Sequence, residues 1–343
     1  MDPKAVNQNI TVDDFDPLVT YANQDIWLTP DPSKNLPFNQ SNSPWFAGTY
    51  HVTNVTNTSF TFDFDGPTLF VYGAAGPSYG SYEISIDGGS TVSTAYAAAN
   101  ATNYLLFGTS GLTYDNHTLK VTNLGAQGGD KGGDDLLFDY LQTTVQLAPA
   151  GATVANTTLE ETDARLHYTG NWTINYSSMF SGGGSIFTSE ANATFSVSFN
   201  GSALYIFGDK TDDHGLYSVV LDGRPAEQYE GQSACGGVFE HACEKDNTLK
   251  YFASNLDAGL HTVTLTNAGL NGSFFDLDSI VYTTPSEFAV RQPSAAGSSA
   301  AGASPTPGSG SSSGGASLSA AGSANLLLVA VCGAWWLGRF FRR

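Results

Sequence analysis

Phe60 to Gly88 reads FTFDFDGPTLFVYGAAGPSYGSYEISIDG, and Phe195 to Gly223 reads FSVSFNGSALYIFGDKTDDHGLYSVVLDG. The two stretches align without a gap, sharing Phe60/Phe195, Phe64/Phe199, Gly66/Gly201, Leu69/Leu204, Gly73/Gly208, Gly80/Gly215, Tyr82/Tyr217, Asp87/Asp222 and Gly88/Gly223. A second pair follows: Leu112 to Gly125 (LTYDNHTLKVTNLG) matches Leu256 to Gly269 (LDAGLHTVTLTNAG), with His117/His261, Thr118/Thr262, Thr122/Thr266 and Asn123/Asn267 in common. The chain is therefore a duplication. Its period of roughly 140 residues is far too long for a solenoid, so each copy is expected to carry its own core.

Within each copy the pattern is that of strands. Phe60, Phe62 and Phe64 alternate with Thr61 and Asp63, and Tyr82, Ile84 and Ile86 alternate until Asp87-Gly88, a hairpin signal. Tyr217, Val219 and Leu221 run the same way into Asp222-Gly223, and His261, Val263 and Leu265 stop at Asn267-Ala268-Gly269. Short strands separated by turn signals predict an all-β chain of two tandem antiparallel β-sandwich or jelly-roll domains. The expected boundaries are 8–148 and 154–286, joined by the small-residue stretch Ala148-Pro149-Ala150-Gly151-Ala152.

The order of an acidic first strand, paired aromatic strands, an S-Y-x-I/V-x-I/L-D-G hairpin, an H-T-L/V-x-V/L-T-N strand and a last strand with Asp resembles galactose-binding-like β-sandwiches. That is the fold class of many carbohydrate-binding modules. With its small-residue stalk and apolar end, the tandem also looks like membrane-anchored surface glycoproteins of basidiomycete fungi. The resemblance implies a structural calcium joining first-strand acids to one on the last strand. Here those positions are Asp13 and Asp14 with Asp139, and Glu160 and Glu161 with Asp278. Calcium takes six to eight oxygens. The competing reading is that these acids discourage edge-to-edge strand pairing.

Residues 292–324 are almost wholly Ser, Gly, Ala and Pro and predict a flexible stalk. The apolar run from Leu326 to Leu337 follows, ending in Arg339, Arg342 and Arg343. Residues 325–343 read either as a GPI signal behind the small residues Ser313-Gly314-Gly315, or as a short spanning helix stopped by arginines. Both readings attach the chain to a membrane with its sandwiches outside.

Thirteen Lys and Arg against 32 Asp and Glu give a net charge of −19, which argues against a nucleic-acid partner. Twelve Asn-x-Ser/Thr sites precede the apolar run: Asn9, Asn39, Asn54, Asn57, Asn100, Asn116, Asn156, Asn171, Asn175, Asn192, Asn200 and Asn271. They predict a glycosylated extracellular chain. Met1-Asp2-Pro3-Lys4-Ala5 opens almost directly on module sequence, so a secretory signal is expected outside this sequence. In such a chain Cys235 and Cys243 read as a disulfide pinning one short loop, worth roughly 2–3 kcal/mol.

No phosphate loop, H-E-x-x-H or C-x-x-C occurs, and the expectation is a chain without catalytic activity. The favoured function is binding of a glycan or another wall or surface ligand. A structural or adhesive coat is the alternative, and a polysaccharide hydrolase is placed third. Trp45 and Phe46, in the polar loop NQSNSPWFAG, are the ligand candidates together with Tyr79, because a pyranose stacks on exposed rings. Trp27 and Trp172 recur in both copies and are expected in the cores. His117 and His261 read as structural, and His214 and His241 lack zinc-like spacing with the cysteines. Asp130, Asp134 and Asp135 in GGDKGGDD are expected in a solvated turn.

Overall fold

Alternating aromatic and polar residues do produce strands, and the computed structural model describes residues 1–29, 43–234, 244–270 and 272–289. The first half runs β1 (Val6–Asp13), β2 (Thr20–Tyr21), β3 (His51–Thr53), β4 (Ser59–Asp65), β5 (Leu69–Ala75), β6 (Ser81–Ile86), β7 (Gly89–Thr94), β8 (Ala101–Thr109), β9 (Asn116–Gly125) and β10 (Leu136–Ala148). The second runs β11 (Val154–Glu160), β12 (His167–Thr169), β13 (Thr173–Tyr176), β14 (Gly184–Thr188), β15 (Thr194–Phe199) and β16 (Ala203–Lys210). It continues with β17 (Leu216–Leu221), β18 (Glu227–Glu230), β19 (Lys245–Ala253), β20 (His261–Asn267), β21 (Phe275–Leu277) and β22 (Ser279–Pro285). Three short 3-10 turns are the helical structure among the described residues.

Each half stacks the same sheets. In the first, β1-β10-β5-β8, with β3 beside β10, faces β2-β4-β9-β6-β7. In the second, β11-β22-β16-β19 faces β12-β15-β20-β17-β18, and β13-β14-β21 forms a small third sheet. All strand pairs are antiparallel, so the chain is all-β with sandwich architecture. Phe60, Phe62, Phe64, Tyr82 and Ile84 fill the first core, and Phe195, Val197, Phe199, Tyr217 and Val219 fill the second. Trp27 is fully buried, as expected, whereas Trp172 packs half-buried at the edge of the second core. The hairpin signal holds in the first half. Asp87 and Gly88 take positive φ of 51° and 85°, and Ile86 pairs directly with Gly89 across them.

The two halves share packing. In β16, Leu204 and Ile206 point into the second core, while Ala203 and Tyr205 join the first. Phe207, Phe252 and Val281 pack there too. The β11-β22-β16-β19 sheet thus buries both faces, one in its own core and one against the first half. Polar contacts cross the same junction: Leu249 N–H donates to Asp16 Oδ1 at 2.7 Å, and Lys245 Nζ donates to the Ala47 carbonyl at 2.5 Å. Met1–Gln292 forms one compact unit.

The paired histidines are structural. His117 Nδ1 lies 2.6 Å from Asp87 Oδ2 and its Nε2 2.9 Å from the Thr113 carbonyl; His261 repeats this with Asp222 at 2.7 Å and Asp257 O at 2.8 Å. Each aspartate also accepts the next backbone amide, Thr118 N–H or Thr262 N–H, at 2.9 Å. The clamp ties the strand head to the hairpin tip. Asp222→Ala is expected to cost about 1–2 kcal/mol, read as a lower urea midpoint at unchanged m-value. An unchanged midpoint would show that the clamp contributes nothing.

The stalk 292–324, the C-terminal segment 325–343, Cys235, Cys243, His241, Asn39 and Asn271 lie outside the described residues. Among the described residues no helix is long and apolar enough to cross a membrane.

Candidate functional site

The first-strand acids end up inside the fold. Beyond β1 the chain turns inward, burying Asp13, Asp14 and Asp16, while Asp139 on β10 has no exposed surface. Asp14 N–H donates to the Asp139 carbonyl at 3.0 Å, which pins the first strand to the last. Thr49 Oγ1 lies 2.7 Å from Asp14 Oδ1 and 3.2 Å from Asp13 Oδ2, and His51 Nδ1 faces Asp14 Oδ2 at 2.6 Å. Phe46 N–H donates to Asp139 Oδ1 at 3.0 Å. Two buried oxygens, Asp13 Oδ1 and Asp139 Oδ2, have no hydrogen-bond partner. Burial pushes the Asp14 carboxyl up to about 7, and burial with Asp14 and Asp13 as neighbours pushes Asp139 up to about 8. Lys245 Nζ stands 3.9 Å from Asp13 Oδ2 as a counter-charge supplied by the second half.

The second half repeats the arrangement. Ser181 Oγ donates to Glu160 Oε1 at 3.0 Å, and the Ser181 amide supports Asp278 as the Phe46 amide supports Asp139. Glu160 Oε2 and Asp278 Oδ1 are buried without partners. Burial, then Asp276, pushes Asp278 up to about 7, with Glu160 and Glu161 adding to it. The turns Phe46–Gly48 and Ser181–Gly183 that supply these amides share one conformation, with φ of 45° at Ala47 and 61° at Gly182. At Gly182 a Cβ would stand 3.0 Å from the Glu160 carboxylate, so glycine leaves room for the acid. Trp45-Phe46 thus has a counterpart in shape, Phe180-Ser181, that its residue types conceal.

The three ligand candidates part company. Trp45 is half-buried, its ring 4.7 Å from that of Tyr50. Tyr79, also half-buried, has its phenol pushed up by burial, then by Asp135 and Tyr50. Phe46 instead lies over Tyr140 at 5.0 Å, and Tyr140 stacks on Tyr72 at 4.6 Å. Trp45 thus neighbours Tyr50, Tyr79 bridges to Asp135 through the backbone, and Tyr50 lies within electrostatic reach of both Tyr79 and Asp14. The expectation of a solvated GGDKGGDD turn fails at Asp130. That residue is buried and accepts from Ser81 Oγ, Thr94 Oγ1 and Gln127 N–H at 2.7, 2.7 and 2.8 Å, which anchors the loop carrying Asp135.

A third group was not foreseen. Asp209, His214 and Asp276, all buried in the second half, offer one ligand atom each within 4.8 Å of one another, close enough to hold a metal ion. His214 Nε2 lies 3.0 Å from Asp209 Oδ1 and 3.4 Å from Asp276 Oδ1, and the wholly buried Lys250 places Nζ 2.5 Å from the same Asp276 oxygen. Burial alone would lower His214, but Asp209, Asp213 and Asp276 hold it up at about 10, while Lys250 and His214 keep Asp276 below the usual carboxylate range. A separate surface cleft of about 450 Å³ is lined by Asn171, Thr173, Phe187, Thr188, Ser189 and Glu190. There Glu190 Oε2 already accepts from Asn171 Nδ2 at 2.6 Å.

No family model matches the chain. A curated protein of Flavonifractor plautii named as an A type blood alpha-D-galactosamine galactosaminidase is 26% identical over 245 residues, 71% of this chain. The chain spans 21% of that relative's length. Among solved structures, a Paenibacillus xanthan lyase is 13% identical, covering 71% of this chain and 24% of its own at a TM-score of 0.27. A family 35 carbohydrate-binding module from Clostridium thermocellum is 14% identical, covering 37% of this chain and 98% of its own at 0.28. The expectation of a chain without catalytic activity is corrected by the curated relative, which carries an enzyme's name. Absent catalytic motifs misled because they belong to other folds, and sugar chemistry needs only positioned carboxylates.

Proposed function

We propose that this chain is the glycan-recognising part of a carbohydrate-active protein working outside the cell, and that Trp45, Tyr50, Tyr79 and Asp135 form its sugar site. The partly exposed Trp45–Tyr50 ring pair, with Tyr79 and Asp135 nearby, carries the reading: a pyranose lays its C–H face on a ring while its hydroxyls donate to a neighbouring carboxylate. The likeness to a galactosaminidase supports galactosamine-ended glycans as the first to try. The twelve glycosylation sites support an extracellular setting, and the apolar C-terminal segment supports attachment to a membrane.

Calcium belongs to this proposal as a structural ion. In each half, buried carboxylate oxygens left without partners beside a backbone turn suit a hard, oxygen-seeking cation. Asp13, Asp14 and Asp139, and Glu160, Glu161 and Asp278, would hold it. It would fasten the first strand to the last and, in the first half, steady the turn that presents Trp45.

On a glycan array, Trp45→Ala is expected to lose binding by ~10-fold or more, since one stacked ring contributes on the order of 1–2 kcal/mol. Phe46→Ala should bind as wild type does. Undiminished binding by Trp45→Ala would remove this site, and an array without any wild-type signal would remove the function.

A further inference from the structure

The two copies diverge most where their frames agree best. Tyr82 donates to the Leu106 carbonyl and Tyr217 to the Lys250 carbonyl, both at 2.6 Å, which sets Leu106 and Lys250 at one place in the two sandwiches. The gap-free alignment likewise sets Ala74 against Asp209 and Tyr79 against His214, and the last-strand register sets Leu137 against Asp276. The first half buries Ala74, Leu106 and Leu137 there, so the sandwich does not need charges at these positions. Burying four ionisable groups is costly unless they are mutually satisfied or serve another purpose.

Their satisfaction is incomplete. His214 Nε2, Asp209 Oδ1 and Lys250 Nζ are all buried and all lack a well-directed hydrogen bond, although oppositely charged atoms stand near them. His214 Nδ1 lies 3.1 Å from Asp213 Oδ1, the contact by which a carboxylate fixes the tautomer and orientation of a metal-binding imidazole. Nε2 is thereby aimed inward between Asp209 Oδ1 at 3.0 Å and Asp276 Oδ1 at 3.4 Å. Ligands about 2.0–2.1 Å from a tetrahedral ion stand ~3.3 Å apart, so these spacings match those of a filled coordination shell.

We propose that Asp209, His214 and Asp276 form a site for a divalent first-row transition metal, with zinc as its probe. One imidazole nitrogen and two carboxylate oxygens suit zinc, whereas a site containing an imidazole is a poor one for calcium. The site is therefore separate in chemistry from the all-oxygen acidic sets. Lys250, its ammonium against Asp276 Oδ1, is the cation that competes with the metal for that oxygen.

The test uses the full chain, incubated with excess zinc and desalted, with bound metal counted by mass spectrometry. One zinc per chain is expected in wild type and in Lys250→Met, the latter binding about tenfold tighter because the competing charge is gone. His214→Gln and Asp209→Asn should each weaken zinc binding by ~100-fold, and millimolar calcium should not displace the ion. Cobalt in place of zinc should give the intense visible bands of a tetrahedral site, absent in His214→Gln. Zinc held equally by wild type and His214→Gln, or held by neither wild type nor Lys250→Met, overturns the proposal. Asp209→Asn keeps the test decisive if the Lys250 variant fails to fold.

Discussion

Stripped of divalent ions with a chelator, the protein is expected to melt at a higher temperature at pH 5 than at pH 8, by at least about 5 °C. Burial leads the causes that push Asp14 and Asp278 up to about 7 and Asp16 and Asp139 up to about 8, and it raises Asp13 as well. An acid whose carboxyl titrates higher in the folded chain holds a proton that the unfolded chain has released. Between about pH 4 and pH 8 the folded state therefore binds more protons, and stability falls as pH rises. His51, lowered by burial and then by Lys210, acts in the opposite sense below about pH 6.5, one group against five. Lys210, lowered to about 8 by burial, changes the balance only above the window. Near 300 residues, 5 °C corresponds to roughly 3 kcal/mol. Calcium at millimolar concentration should restore the melting temperature at pH 8 and have little effect at pH 5, where protons already occupy the site. A flat profile in chelator would mean that these carboxylates are compensated without an ion.

Tyr205→Ala is expected to have the largest effect of any single truncation at the junction of the two halves. Tyr205 reaches from β16 into the first core and packs on Phe252 at 5.0 Å. Removing an aromatic ring from such a place costs roughly 3–5 kcal/mol. The loss falls where the second half enters the first core, so calorimetry should resolve two transitions where the wild type shows one. Asp16→Asn should weaken the same junction less, because asparagine keeps an oxygen that can accept from Leu249 N–H. A single transition in Tyr205→Ala, at the wild-type temperature, would show that the halves unfold independently of this contact.

The sandwich halves were legible because Phe60, Phe62 and Phe64 and their counterparts obey a period of two. The alternation places one face in a core whatever the rest of the chain does. The junction left a fainter mark. Ala203-Leu204-Tyr205-Ile206-Phe207 is an unbroken apolar run, the pattern of a strand covered on both faces, in place of the alternation of β4. Asp209, His214, Lys250 and Asp276 could not be found by spacing. They come from β16, the loop after it, β19 and the β21 strand, and only the duplication, which sets them against Ala74, Tyr79, Leu106 and Leu137, marks them as unusual. Tyr50 escaped notice because nothing in its neighbourhood of sequence points to Tyr79. Similarly, Phe180-Ser181 shares a backbone turn with Trp45-Phe46 but neither side chain.

The sheet that is covered on both sides has a consequence for inheritance. A module able to fold alone can be copied into other genes and lend its binding to new partners. For the second half that freedom comes at a cost, since cutting it away would lay Tyr205, Phe207 and Phe252 open to water. Recombination that moves the pair together spares this fold that cost. The halves can still drift apart in chemistry, as Lys250 and Leu106 already have, while remaining one heritable unit.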